Sequence, residues 1–188
     1  MKMRIALTLF AAASAMTLAA CDTKTDSAKP ESEAARDAAG DKTIATGLGT
    51  DDSKFADAAK ASGLDATLAG PGPYTVLVPV NGAFDKLPAG TLDTLLKPES
   101  RAQLTKVLTG HILPGEILAA DIGKAIDNGK GKASLATFGG GTITATREGD
   151  KIVLTDSAGG KAIVTGSDER RSNGVVHHVN GVLMPSST

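Results

Sequence analysis

Apolar and polar positions change their rhythm halfway along the chain. From about residue 50 to 110, apolar residues recur at helical spacing. Phe55, Ala58 and Ala59 share one face of a helix that Thr50, Asp51, Asp52 or Ser53 can cap and that stops near Gly63. A second short helix follows at Asp65 to Ala69, ahead of the breaker Gly70-Pro71-Gly72-Pro73. Tyr74 to Val80 is then β-branched and apolar, the pattern of a buried strand. Asn81 stands where it can cap a helical turn over GAFDKL, and Thr91 to Leu96 supplies another turn or two. Pro98 suits the first turn of a helix bearing Leu104, Val107 and Leu108 on one face. His111-Ile112-Leu113 reads as a short strand ended by Pro114-Gly115.

Beyond residue 130 the period falls to two. ASLATF, TITATRE, KIVLTD and KAIVTG are strand-like runs, divided by Gly139-Gly140-Gly141, Glu148-Gly149-Asp150 and Ser157 to Gly160. Such spacing predicts a meander of hairpins. SDERRSNG, from Ser167 to Gly174, reads as a charged loop, and Val175 to Met184 as the last strand. Helices first and hairpins later define an α+β chain rather than alternating βαβ units.

The start of the chain obeys neither rhythm. Lys2 and Arg4 precede an apolar stretch from Ile5 to Leu18, shorter than the ~20 apolar residues that span a bilayer. Residues 1–20 therefore read as an export signal. Leu18-Ala19-Ala20-Cys21 follows, with the one cysteine of the chain, and resembles the lipobox of bacterial lipoproteins. That resemblance implies a lipidated Cys21 carrying a diacylglyceryl group and an N-acyl chain, anchored on the periplasmic face of the inner or outer membrane or at the cell surface. One acyl chain holds a protein only marginally, and more than one meets the need. Residues 21–42 contain no large apolar side chain and read as a tether, spanning about 25 Å as a flexible coil. Residues 43–186 are then one domain.

Charge and composition exclude several classes of function. Twenty basic and 21 acidic residues give a net charge of −1, which becomes −3 once Lys2 and Arg4 leave with the signal. Mild acidity argues against a nucleic-acid partner. Beyond the leader the aromatics are Phe55, Tyr74, Phe84 and Phe138, too few for a base-stacking platform. No cofactor is implied.

The adjacent histidines His177 and His178 raise the question of a site. Neighbours on a strand point to opposite faces, so the pair cannot easily grip one metal ion. No cysteine or His-x-x-x-His spacing supports zinc, and no Gly-x-Ser-x-Gly offers a nucleophile. No catalytic residue is assigned. Gly47-Leu48-Gly49 lacks the third glycine and preceding strand of a phosphate loop. Lys124, Lys130 and Lys132 read as a solvated loop. Asp168, Arg170 and Arg171 sit in the charged loop, where partner contacts concentrate.

Two stretches carry a family resemblance. TVLVPVNGAFDKLP (Thr75 to Pro88) and NGVVHHVNGVLMP (Asn173 to Pro185) resemble the two signatures of the fasciclin, or FAS1, family. LTKVLTGHILPGEILAADI (Leu104 to Ile122) is similar to the family's central helix-to-strand segment. The resemblance implies a compact β-sheet wedge with several helices in the first half. It assigns structural roles to His111, Asn173, Gly174 and His177. His178 falls where an aliphatic residue is more usual, and with Asp168, Arg170 and Arg171 it forms the expected partner-binding set. Gly110 replaces the tyrosine that often precedes the central histidine, and Asn180 replaces an acidic residue. The implied function is a monomeric, non-catalytic module for adhesion or protein interaction, with unknown protein or envelope partners. The alternative is a periplasmic module binding a small ligand or an envelope polymer.

Overall fold

A computed structural model of the chain describes residues 41–184. The leader, Cys21, most of the tether and the last four residues lie outside the described part.

The expected helices form, with one addition before them. Helix α1 is Ile44–Gly47, so Gly47 ends a helical turn instead of lying in open loop. Helix α2 is Ser53–Ser62, with Phe55, Ala58 and Ala59 buried, and Gly63 in the left-handed conformation closes it. Helix α3 is Asp65–Ala69, α4 is Asn81–Phe84, α5 is Thr91–Leu95 and α6 is Arg101–Thr109. Asn81 caps, but not its own helix. Its Oδ1 accepts the Lys54 N–H at 3.0 Å and its Nδ2 donates to Thr50 O, so it closes the start of α2 from across the fold.

A seventh helix, α7, covers Ala119–Asn128, where a loop around Lys124 was expected. Ile122 and Ile126, one turn apart, are its buried anchors. Gly123 breaks the apolar pattern between them. A Cβ there would lie 2.6 Å from Arg147 Nη2, so the glycine allows close packing against the sheet.

Seven strands make one sheet in the order β2-β1-β7-β6-β5-β4-β3. They are β1 Tyr74–Pro79, β2 Ile112–Pro114, β3 Lys132–Ala136, β4 Thr142–Glu148, β5 Lys151–Thr155, β6 Lys161–Arg171 and β7 Gly174–Val179. Neighbours are antiparallel except β1 and β7, which run parallel. Beyond β3, the Phe138 N–H donates to Ile112 O at 2.8 Å and brings the two ends of the sheet together.

Two boundaries differ from the sequence reading. SDERR is not a loop: β6 continues through Arg171, bent by register shifts between Val164 and Glu169. The last strand stops at Val179 instead of Met184, because Asn180 leaves the ladder and its side chain accepts the Ile163 N–H.

The sheet has a core on each side. On one, Val76, Val78 and Val176 meet Ile44, Phe55, Leu68, Leu104 and Leu108 of the helical layer. On the other, Leu77 and Val179 join Ile122, Ile126, Ile143, Leu154 and Leu183. Strands β1 and β7 are covered on both faces, hence their continuous apolar runs.

Candidate functional site

The motif residues gather where β7 meets its neighbours, and each is held by backbone. His177 pairs with Leu77 of β1 and is fully buried. Its Nε2 donates to Ile117 O at 2.8 Å, and its Nδ1 accepts the Asp168 N–H at 3.2 Å. One neutral imidazole thereby ties β7 to the loop before α7 and to the bend of β6. Burial pushes its pKa below the ordinary histidine value, against the opposing pull of the Ile117 carbonyl and Asp168.

His111 does the same job elsewhere. Its Nδ1 donates to Val107 O at 2.9 Å and its Nε2 accepts the Leu183 N–H at 3.1 Å. It joins the end of α6 to the segment after β7. Complete burial lowers its pKa, partly offset by the Val107 carbonyl and Asp156.

Asn173 anchors the helical layer. Its Oδ1 accepts the Ile44 N–H, and its Nδ2 donates to Leu68 O and Gly70 O, all within 2.7–2.8 Å. Gly174 follows at φ 152°, and a Cβ there would collide with the Tyr74 carbonyl. The Asn-Gly pair is thus fixed by its contacts with α1, α3 and β1.

The residues expected to face a partner are all engaged internally. Asp168, at φ 61°, accepts the Ala119 N–H at 2.8 Å through Oδ1 and so caps α7. Arg170 pairs with Glu116 at 2.8 Å. Arg171 pairs with Glu169, and its Nη2 donates to Gly47 O at 2.8 Å. His178 lies on the helical side of β7, opposite to His177, but it does not stand in open solvent as expected. Its Nε2 donates to Asp52 Oδ2 at 3.1 Å, Glu169 Oε2 lies 3.7 Å from its Nδ1, and the side chain is 22% exposed. Asp52 is buried, takes the Gly49 N–H weakly at 3.4 Å, and leaves Oδ1 unpaired.

Sequence reading missed Asp156. Its Oδ1 accepts the Ala158 and Gly160 N–H groups, and its Oδ2 accepts the Met184 N–H at 2.7 Å. The Asp-Ser-Ala-Gly-Gly run that follows was a turn signal, but nothing local announces the bond to Met184. Among the described residues no group of three or more His, Cys, Asp or Glu side chains is placed to hold a metal ion.

A seven-stranded wedge with its helices in the first half, locked by His111, Asn173 and His177, defines a fasciclin-type fold. The chain belongs to the fasciclin domain family, whose model matches residues 51–185. It is 35% identical over 148 residues to protein sll1483 of Synechocystis sp., covering 79% of this chain and 71% of that one. It is 37% identical over 131 residues to transforming growth factor-beta-induced protein ig-h3 of Sus scrofa, covering 69% of this chain but 17% of the relative. A FAS1 domain pair from the insect cell adhesion molecule fasciclin I superposes with a TM-score of 0.66 at 20% identity. That match covers 76% of this chain and 51% of the other.

Proposed function

We propose that this chain is a lipid-anchored, non-catalytic FAS1 module of the bacterial envelope that mediates adhesion or protein interaction. The observation that carries this reading is the fate of the motif side chains. His111, Asn173, His177, Asp168 and Asp156 are all spent on backbone groups of distant segments, and no acid–base or nucleophile set is left over among them. Such a framework spends its chemistry on rigidity and leaves its surface for contact. The fasciclin I structure bears a title naming a cell adhesion molecule, which supports the same class.

A small-ligand module would need a deep apolar pocket with convergent polar groups, commonly 300–1,000 Å³. The cleft beside Gly139 to Gly141 encloses about 140 Å³, and the larger depressions, of about 310 and 400 Å³, are open surface grooves and not deep pockets. Anchoring rests on Cys21, and a partner contact at Arg170, Arg171, Asp168 or His178 would use the surface that their internal bonds leave exposed.

Two measurements test the reading. Cys21→Ser should move the protein from the membrane to the soluble fraction, and an unchanged fractionation removes the anchor. Cross-linking in intact cells should capture a protein partner reproducibly. Capture of lipid or glycan alone would overturn the interaction role.

A further inference from the structure

Between α4 and the β5–β6 hairpin lies a groove at the margin of the first core. Leu154 and Ala162 pair across β5 and β6 and face the second core. Val153 and Ile163, the next pair in the ladder, point the other way. Val153 is nevertheless only 2% exposed. Ala83 of α4, Leu87 just beyond it and Val182 after β7 line, together with Val153 and Ile163, a groove of about 400 Å³. Of its apolar lining residues, Leu87, Ile163 and Val182 are partly exposed.

The rim has a different chemistry. Lys86, Lys161 and Asn180 also line the groove, with Glu148 as the single acid. Lys86 Nζ donates to Asn180 O at 2.7 Å, a backbone acceptor that leaves its charge uncancelled. Lys161 meets Glu148 only at 3.9 Å, with both side chains about two-thirds exposed, so that pair is loose and water-screened. The groove therefore presents two cations and one anion above an apolar floor. An occupant that matches it places aliphatic side chains on Leu87, Ile163 and Val182, the partly exposed apolar residues of the lining, and carboxylates beside the lysines.

We infer that this groove is a docking site for an extended acidic segment of a partner protein, one that alternates aliphatic and carboxylate side chains. Alternation fits because an extended peptide turns successive side chains to opposite sides, so one set reaches the floor while the other meets the rim. The inference rests on the interaction-module reading and specifies where and with what chemistry the contact is made. A membrane surface fits less well, since the aliphatic floor is recessed between α4 and the hairpin instead of protruding.

The test uses the full chain in detergent, with methyl resonances of valine, leucine and isoleucine followed by NMR. The first probe is a short blocked peptide of alternating leucine and glutamate, the second its leucine–lysine counterpart, and the third dodecanoate. The acidic peptide should shift the methyls of Leu87, Ile163 and Val182. Its affinity should fall about tenfold when Lys86→Glu and Lys161→Glu are combined, and rise severalfold in Glu148→Lys. An unchanged thermal midpoint confirms that each variant is folded, and the Glu148→Lys gain cannot come from unfolding. Equal binding of the lysine peptide overturns the proposal. So do shifts confined to other methyls, or dodecanoate binding without peptide binding. If cross-linking in cells captures a protein while the peptide arm fails, the module reading stands and this groove is excluded as its contact. If neither finds a protein, both fall.

Discussion

The two faces of β7 place adjacent histidines in opposite kinds of surroundings. On the face toward Ile117 and Asp168, His177 is sealed in, neutral, and bonded only to backbone. On the helical face, His178 keeps contact with water and is bonded to the side chain of Asp52, with Glu169 close to its other nitrogen. The sealed site has one arrangement that satisfies all its groups, because backbone donors and acceptors cannot swing away. The other is built from side chains that can re-pair or be replaced by water. Rigidity at β7 is therefore asymmetric, although both residues are histidines on consecutive positions of one strand.

The deepest attachment on the helical side is not His178 but Asn173, so its loss should be the largest. Asn173→Ala strands the buried Ile44 N–H and two carbonyls, and at roughly 1–3 kcal/mol for each unsatisfied buried group should cost about 4 kcal/mol in denaturant unfolding. A loss near 1 kcal/mol would mean that water replaces all three bonds. His177→Ala comes next at about 3 kcal/mol, from the cavity and from the unpaired Ile117 carbonyl and Asp168 N–H. It should also loosen the start of α7, read as faster hydrogen exchange at Ala119 and its neighbours.

Acid is a milder probe of the same asymmetry. Burial lowers the pKa of both His111 and His177, so the folded protein refuses protons that the unfolded chain accepts below about 6.5. Stability should therefore be complete above that pH and fall as pH drops through it. The loss levels off only once the lowered folded-state values are passed. Thermal midpoints measured from pH 7.5 to 5 should show the decline, reduced in His177→Gln. A flat profile would mean that neither imidazole is neutral by constraint. The smallest effect belongs to His178→Ala, about 1 kcal/mol, because Asp52 keeps the Gly49 N–H and the space vacated by the partly exposed His178 admits water to it. If His178→Ala and His177→Ala cost the same, the contrast between the two faces is wrong.

Much of this fold was legible in the sequence, because its elements follow local rules. The apolar spacing of Phe55, Ala58 and Ala59 with Gly63 after them, or the alternation of TITATRE, contains its own answer. What escaped depends on distant partners. Helix α7 begins with a cap from Asp168, which lies far along the chain, and carries a glycine in its middle that only Arg147 explains. The charged SDERR run looked like a loop because its polar side chains ignore the strand period. They can do so because the bend at Asp168 re-aims them toward Glu116 and Gly47. The motif histidines were found, and His111 and His177 are both buried and bonded to backbone. The exposure of His178 was overestimated, because a strand position opposite a buried residue faces solvent only if nothing packs there, and here the segment around Asp52 does.

The parallel pairing of β1 with β7 sets the order in which this protein can become itself. Tyr74 registers with Gly174 and Pro79 with Val179, about a hundred positions apart, and β7 lies between β1 and β6. No shorter piece of chain can supply that central strand, so until the C-terminal segment arrives β1 and β6 lack their shared neighbour and the sheet stays open at its middle. Contacts of this sequence separation are slow to close. A chain emerging N-terminus first, as every ribosome delivers it, would thus lack its central strand until the last segment is made.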